Sequence, residues 1–337
     1  MTDETIQKGG SLGRALRRPE AGALLGLILV YVFFAALGGS IFLGAPGWSS
    51  WLNTASQVGI IALPVGMLMI SGDLDVSVGS VVPASSLTLA IVSGQYELPA
   101  YVGVAAALAI GLLVGFANGV LVTRTTIPSL IVTIGTMFAV MGFSLGLTVM
   151  IAGSTGLFYV PDPVSKLLLG SAMGGMFQVG ILWWAAFALV AWYLLHVSPW
   201  GNWVFAIGGS RESARNAGVA TNRLTIQLYM MSGFAAAFVG VLQVMTFSGA
   251  QVAAGHSFIF NSIMCVVIGG VLLNGGAGSV LGIILGTMTF SIVNQGIFFS
   301  GLDPNFGSII IGALLLIAVL SNDSFRAAAL SFVAKKK

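Results

Sequence analysis

Apolar residues run along this chain in blocks of about 20, the length that crosses a lipid hydrocarbon core as a helix. Within the blocks, apolar and polar positions do not alternate as they would in the wall of a membrane barrel. The blocks predict spans over residues 21–43, 53–71, the stretch from a break at 71–80 to Ser93, 99–122, 127–151, 178–197, 224–248, 259–273, 279–300 and 307–321. In lipid every backbone polar group needs an internal partner, which a helix supplies within itself. The predicted fold class is therefore all-α: a polytopic membrane protein of about ten transmembrane helices.

The polar interruptions then set the topology. With the N-terminus inside, the inner set is 1–20, the turn at Arg124, 199–223, 274–278 and the C-terminal tail. It holds Lys8, Arg14, Arg17, Arg18, Arg124, Arg211, Arg215, Arg223, Arg326 and Lys335 to Lys337, leaving only Lys166 of the 13 basic residues outside. The outer turns carry Glu97, Asp162 and Asp303. This is the positive-inside bias, and losing one span would scramble it. The implied organisation is a cytoplasmic tail over 1–20, a membrane domain over 21–321 and a cytoplasmic tail over 322–337. The longest inner interruption, 199–223, reads PWGNWVFAIGGSRESARNAGVATNR. Within it, Ser210 is placed to cap a short helix that stops at Gly218.

Composition excludes most other classes. The chain has 337 residues, of which 57% are hydrophobic and 7% charged. A soluble domain carries roughly 25% charge, so the solvent here is lipid. The 46 glycines suit close helix contact in a bilayer. The first apolar run exceeds the 7–15 residues or so of a signal-peptide core, so it is predicted to remain as a span. Cys265 is the single cysteine, which leaves no disulfide or metal framework. The basic residues flank the membrane, so the net charge of +3 does not indicate a nucleic-acid partner.

No catalytic motif is present: there is no P-loop, no HExxH and no paired-cysteine motif. His196 and His256 fall on opposite sides, so no metal site is predicted. Asp73 and Asp75 are flanked on both sides by apolar segments, and a carboxylate deep in lipid costs roughly 2.5–3.5 kcal/mol or more. Three readings follow. Asp75 shapes a helix break beside a solute path, the pair caps a helix at the membrane surface, or a carboxylate couples transport to an ion. Further polar groups within spans are Gln57, Asn118, Thr133, Gln243, Asn261, Asn294 and Gln295. They line a path for a neutral polar solute, or they make interhelical hydrogen bonds. A weak internal similarity links 60–90 with 263–293, each an apolar span, a glycine-rich break and a small-residue span. Transporters are often built from such repeats.

Four stretches in order carry a family resemblance. GDLDVSVGS (72–80) resembles GGIDLSVGS. NGVLVTRTTIPSLIVTIGTM (118–137), FAIGGSRESARNAGVATNR (205–223) and VVIGGVLLNGGAGSVLG (266–282) resemble further motifs of the same family. That family is the permease subunits of bacterial ABC importers for monosaccharides, of the ribose, xylose, arabinose and galactose type. The similarity extends from about Trp51 to Leu320. Departures are Asp73 in place of a commoner glycine, Ser210 in place of an asparagine, and Ile259 and Asn261 where an acidic pair is common. They bear on the particular sugar.

The resemblance implies a transport subunit of the inner membrane that translocates a neutral monosaccharide or polyol. Its implied partners are ATP-binding subunits that hold ATP and magnesium, a periplasmic sugar-binding protein and a second permease copy, with no cofactor on this chain. It places the coupling to the ATPase on Arg211, Glu212, Ala214, Arg215 and Gly218. The path candidates from the residues are Gln57, Asp73, Asp75, Ser77, Asn118, Thr133, Asn261 and Asn294. The competing readings are an ABC permease for branched-chain amino acids or nucleosides, an ion-coupled transporter using Asp73 or Asp75, and a membrane-embedded enzyme.

Overall fold

The computed structural model describes residues 19–310 together with 312, 313 and 316. The outer parts of both tails, with their lysines and arginines, and most of the tenth predicted span lie outside the described residues. The helices are α1 (Pro19–Leu43), α2 (Ala45–Ile70), α3 (Val78–Leu89), α4 (Ala100–Arg124), α5 (Ser129–Ala152), α6 (Pro163–Leu169), α7 (Gly180–Trp192), α8 (Pro199–Gly209), α9 (Arg211–Asn216), α10 (Thr221–Phe247), α11 (His256–Ile268) and α12 (Val280–Phe299). Wide turns extend α3 to Gln95 and α7 to Val197. Among the described residues eight helices are long and apolar enough to cross a membrane: α1 to α5, α7, α10 and α12. The predicted eighth span is shorter than expected, because Gly269 and Gly270 end α11 after 13 residues.

The bundle has an inner and an outer shell. In the most apolar windows of α2, α3, α10 and α12, 83%, 72%, 78% and 72% of residues are buried, against 6% for α1 and 17% for α5. The outer helices turn Leu29, Phe143 and Leu189 outward, the inverse of a water-soluble surface and the pattern that lipid solvation favours. Two-stranded ribbons finish the outer face. β1 (Gly156–Phe158) pairs antiparallel with a strand over Gly249–Gln251, tying the α5–α6 connection to the end of α10. Asp162 caps α6 by accepting from the Val164 and Ser165 amides.

The most extensive helix contact joins α4 to α10. Gly111, Gly115 and Gly119 recur one turn apart along α4. A Cβ at Gly111 would lie 2.3 Å from the Gly233 carbonyl, and one at Gly115 would lie 2.3 Å from the Tyr229 carbonyl. Without side chains the backbones touch, which is how helices gain packing energy in a solvent as apolar as their own surfaces.

The weak repeat in the sequence has a geometric counterpart. At the end of α2, Gly72 N–H donates to Met69 and Asp73 N–H to Leu68. At the end of α11, Gly270 N–H donates to Val267 and Val271 N–H to Val266. Both are Schellman caps, with glycine in the left-handed conformation at φ 89° and 86°, where a side chain would be strained. Each cap opens a non-helical crossing segment, 71–77 or 269–279, before the next inner-shell helix. The two segments meet: Gly276 N–H donates to Ile70 C=O at 2.8 Å, and Gly275 packs on Gly72.

Pro64 lies inside α2 and borders an apolar cavity of about 380 Å³, lined among others by Leu63, Met67, Trp183, Phe187 and Phe234. Proline has no N–H, so α2 lacks one hydrogen bond there.

Replacing Gly115 by Leu is expected to force α4 and α10 apart. Overpacking of this kind costs about 1–3 kcal/mol. A lowered melting temperature of the detergent-solubilised protein checks it, with Leu113→Ala on the exposed face of α4 as the unaffected control.

Candidate functional site

The first crossing segment collects the polar chemistry of the bundle. Asp75 is fully buried. Its Oδ1 accepts from the Ser77 N–H (2.9 Å) and the Ser77 hydroxyl (2.6 Å), and its Oδ2 accepts from the Ser232 hydroxyl of α10 (2.7 Å). The chain continues outward: Asn118 Nδ2 on α4 donates to Ser77 Oγ (2.8 Å), and Thr136 Oγ1 on α5 donates to Asn118 Oδ1 (2.6 Å). Leu74 between the two acids is held by its backbone, donating to Ser129 Oγ (3.2 Å) and accepting from the Tyr229 hydroxyl (3.1 Å). A segment with no ladder of its own is thus satisfied from α4, α5 and α10. That is the condition for irregular backbone within a membrane domain. Asp75 does accept an amide at the start of α3, as a capping residue would, but within the packed protein and not on its exposed surface.

Asp73 has a different partner. Its carboxylate pairs with the Arg211 guanidinium at the start of α9, the one ion pair among the described residues. Arg211 is therefore not a free loop cation. The interruption over 199–223 is itself not a loop but two helices. Pro199 starts α8, whose Val204 and Ile207 are buried; such apolar positions at helical spacing fold onto the bundle. α9 follows, with Ser210 Oγ accepting from the Ser213 N–H at 3.2 Å. It ends in a Schellman cap, with Val219 N–H donating to Ala214 and Gly218 at φ 88°. Ala214 is buried, while Glu212 and Arg215 face solvent.

The polar groups on the opposite side form a separate chain. Gln243 donates to Gln57 and Gln57 to Gln178, both at 3.3 Å. Gln178 borders an outward depression of about 650 Å³ that also exposes Ser171, Thr246 and Lys166.

The family model described as "Branched-chain amino acid transport system / permease component" matches residues 47–319. The chain belongs to this permease family. The fructose import permease protein FrcC of Rhizobium meliloti is 29% identical over 306 residues, covering 89% of this chain and 84% of that protein. The ribose import permease protein RbsC of Escherichia coli K12 is 28% identical, covering 89% and 92%. The autoinducer 2 import system permease protein LsrD of Salmonella paratyphi B is 32% identical, covering 78% and 79%.

This permease is a multi-pass protein of the inner membrane and a transport subunit rather than an enzyme. Of its path candidates, Asp75, Ser77 and Asn118 meet in one network, and Asp73 lies beside it. Gln57 belongs to the outer glutamine chain. Thr133 bonds back to Ser129 C=O on its own helix at 3.0 Å. Asn294 accepts from its neighbour Gln295 at 2.8 Å, and Asn261 stands apart on α11. The sequence reading missed Ser232, Thr136, Ser129 and Tyr229, all single polar groups in apolar helices. Their spacing carried a faint signal, since Tyr229 and Ser232 share one helix face. His196 accepts from the Val280 N–H at 3.2 Å, steadying the first turn of α12.

Asp75→Leu is expected to leave three donors without an acceptor, each costing about 1–3 kcal/mol when buried. Ser232→Ala removes one donor and should cost less. Thermal melts of the two variants in one detergent check the order; equal melting temperatures would contradict it.

Proposed function

We propose that this permease is the translocating subunit of an ATP-driven importer for a neutral monosaccharide or polyol. The observation that carries the reading is the set of relatives, whose names give fructose, ribose and autoinducer 2 as imported solutes, at coverage of most of both chains. The distribution of charge agrees with them. Among the described residues the cations lie at helix ends and turns, and the polar groups within helices are amides and hydroxyls. These recognise hydroxyls without selecting for charge. The family description mentions branched-chain amino acids, but the named relatives do not favour that substrate. Ion coupling through Asp73 or Asp75 is disfavoured because both carboxylates already have partners.

The mechanism follows from what the chain lacks and what it presents. Without a P-loop it draws on ATP hydrolysis in a separate subunit, and the force arrives mechanically. The capped helix α9 presents Glu212 and Arg215 at the inner end, where a partner can grip it. ATP-driven closure of the paired ATPase subunits then rocks two permease copies about a central path, alternating access between the sides. A periplasmic binding protein delivers the sugar to the outer face, where the ribbons and the outward depression lie. The crossing segments, bent at glycine caps and bordered by hydroxyls, are where the path narrows.

Arg215→Glu is expected to weaken association with the ATPase while membrane insertion stays normal. Affinity purification of the tagged chain from its native membrane, with its co-purifying proteins identified, checks both points. An ATPase with P-loops retained by the parent chain and lost by the variant supports the reading. A chain that purifies alone and transports D-ribose or D-fructose in liposomes driven by an ion gradient overturns it. Competition for uptake by a sugar phosphate and not by free sugars contradicts the neutral substrate.

A further inference from the structure

The coupling helix and the first crossing segment are joined by a single charged contact. α9 is six residues long and packs chiefly on α8, with little contact to the membrane helix α10 that follows it. Ala214 seats it on the bundle, and Glu212, Ser213 and Arg215 face outward, where a partner can pull on it. Its first residue, Arg211, holds Asp73, and Asp73 is the final residue of the α2 cap. Two residues on, Asp75 holds Ser77 and Ser232, and Ser77 holds Asn118.

The backbone around this pair is gripped tightly. A Cβ at Gly208, near the end of α8, would lie 1.8 Å from Ile70 C=O and 2.5 Å from the Gly276 N–H. Three glycine-containing strands of chain therefore meet where α2 ends, and Arg211 reaches across from the one that leads into α9. The pair also breaks the internal symmetry. The residue equivalent to Asp73 in the second cap is Val271, which has no charge to offer. The side-chain tie to α9 is a feature of the first half alone.

We propose that Arg211 and Asp73 form the tie through which displacement of α9 is delivered to the 71–77 crossing segment. Asp73 is then a positioning residue for coupled transport, acting through Asp75 on α3, α4 and α10. The inference rests on the importer reading above. Asp73 is buried while Arg211 is partly exposed, so Arg211→Gln leaves a buried carboxylate unpaired and lowers stability, whereas Asp73→Asn removes the buried charge and breaks the link at the smaller structural cost.

The test uses the complex purified from native membranes, with ATP and vanadate as the probe and hydrogen exchange as the readout. In the parent complex, trapping should change exchange of the 211–216 peptide and, several-fold, of the 71–77 peptide. In Asp73→Asn and Arg211→Gln the 211–216 response should persist while the 71–77 response disappears. The charge swap Asp73→Arg with Arg211→Asp should bring it back. A full 71–77 response in both single variants overturns the tie, as does a swap that assembles, responds at 211–216 and stays silent at 71–77. The 211–216 peptide separates the two levels. If it fails to respond in the parent complex, the importer reading itself falls; if it responds in every variant, only the tie is at issue. A melting temperature unchanged in Asp73→Asn, together with sugar transported per ATP lowered several-fold, distinguishes positioning from a structural role.

Discussion

The satisfaction of one non-helical segment governs the rest of this molecule. Residues 71–77 form no helix of their own and lie largely buried among apolar helices, so their polar groups are met by the end of α2, by one another and by neighbouring helices. Asp75 organises the solution. One buried carboxylate with three donors fixes the start of α3, reaches α10 through Ser232, and through Ser77 and Asn118 reaches α4 and α5. Removing one partner from such a network exposes the desolvation cost of the others. The inner-shell helices are thus held in register by hydrogen bonds at this point, in addition to the contact of their surfaces.

Contact between surfaces works differently in lipid. There is no water to expel between helices, so close approach and dispersion supply the attraction. The glycine row of α4 against Gly233 and Tyr229, and the glycines of the two crossing segments against each other, follow from that constraint. Among the outer helices the seam orients α4, whose remaining faces are free to meet acyl chains, whereas Gly135, Gly142 and Gly146 of α5 touch no neighbour.

The sequence was legible wherever the physics is local. The length of apolar runs located the spans, and GDLDVSVGS and NGGAG marked the two breaks. Ser210 and Gly218 bounded α9, because capping depends on residues a few positions apart. The Gly72 and Gly270 caps explain why the repeat could be glimpsed at all. Contacts between distant residues were not legible. Nothing local pairs Arg211 with Asp73, 138 positions away, and a lone serine in an apolar helix bonds back to its own carbonyls as readily as across to a partner. α8 was concealed for another reason. Its apolar residues are interspersed with tryptophan, asparagine and glycine, and they read as part of a polar interruption until packed against the bundle. α11 fell short of a span because Gly270 takes the left-handed conformation that closes the helix, which hydropathy does not encode.

Pro64 gives α2 a compliance that most of the long helices around it lack. A rod missing one bond, beside a void of about 380 Å³, bends there before it bends anywhere else. From that point to the end of α2 is about seven residues, or roughly 10 Å at 1.5 Å per residue. A tilt of about 10° at the proline therefore sweeps the crossing segment sideways by about 2 Å, so that slight flexure at Pro64 is amplified into lateral displacement of the segment that carries Asp73 and Asp75.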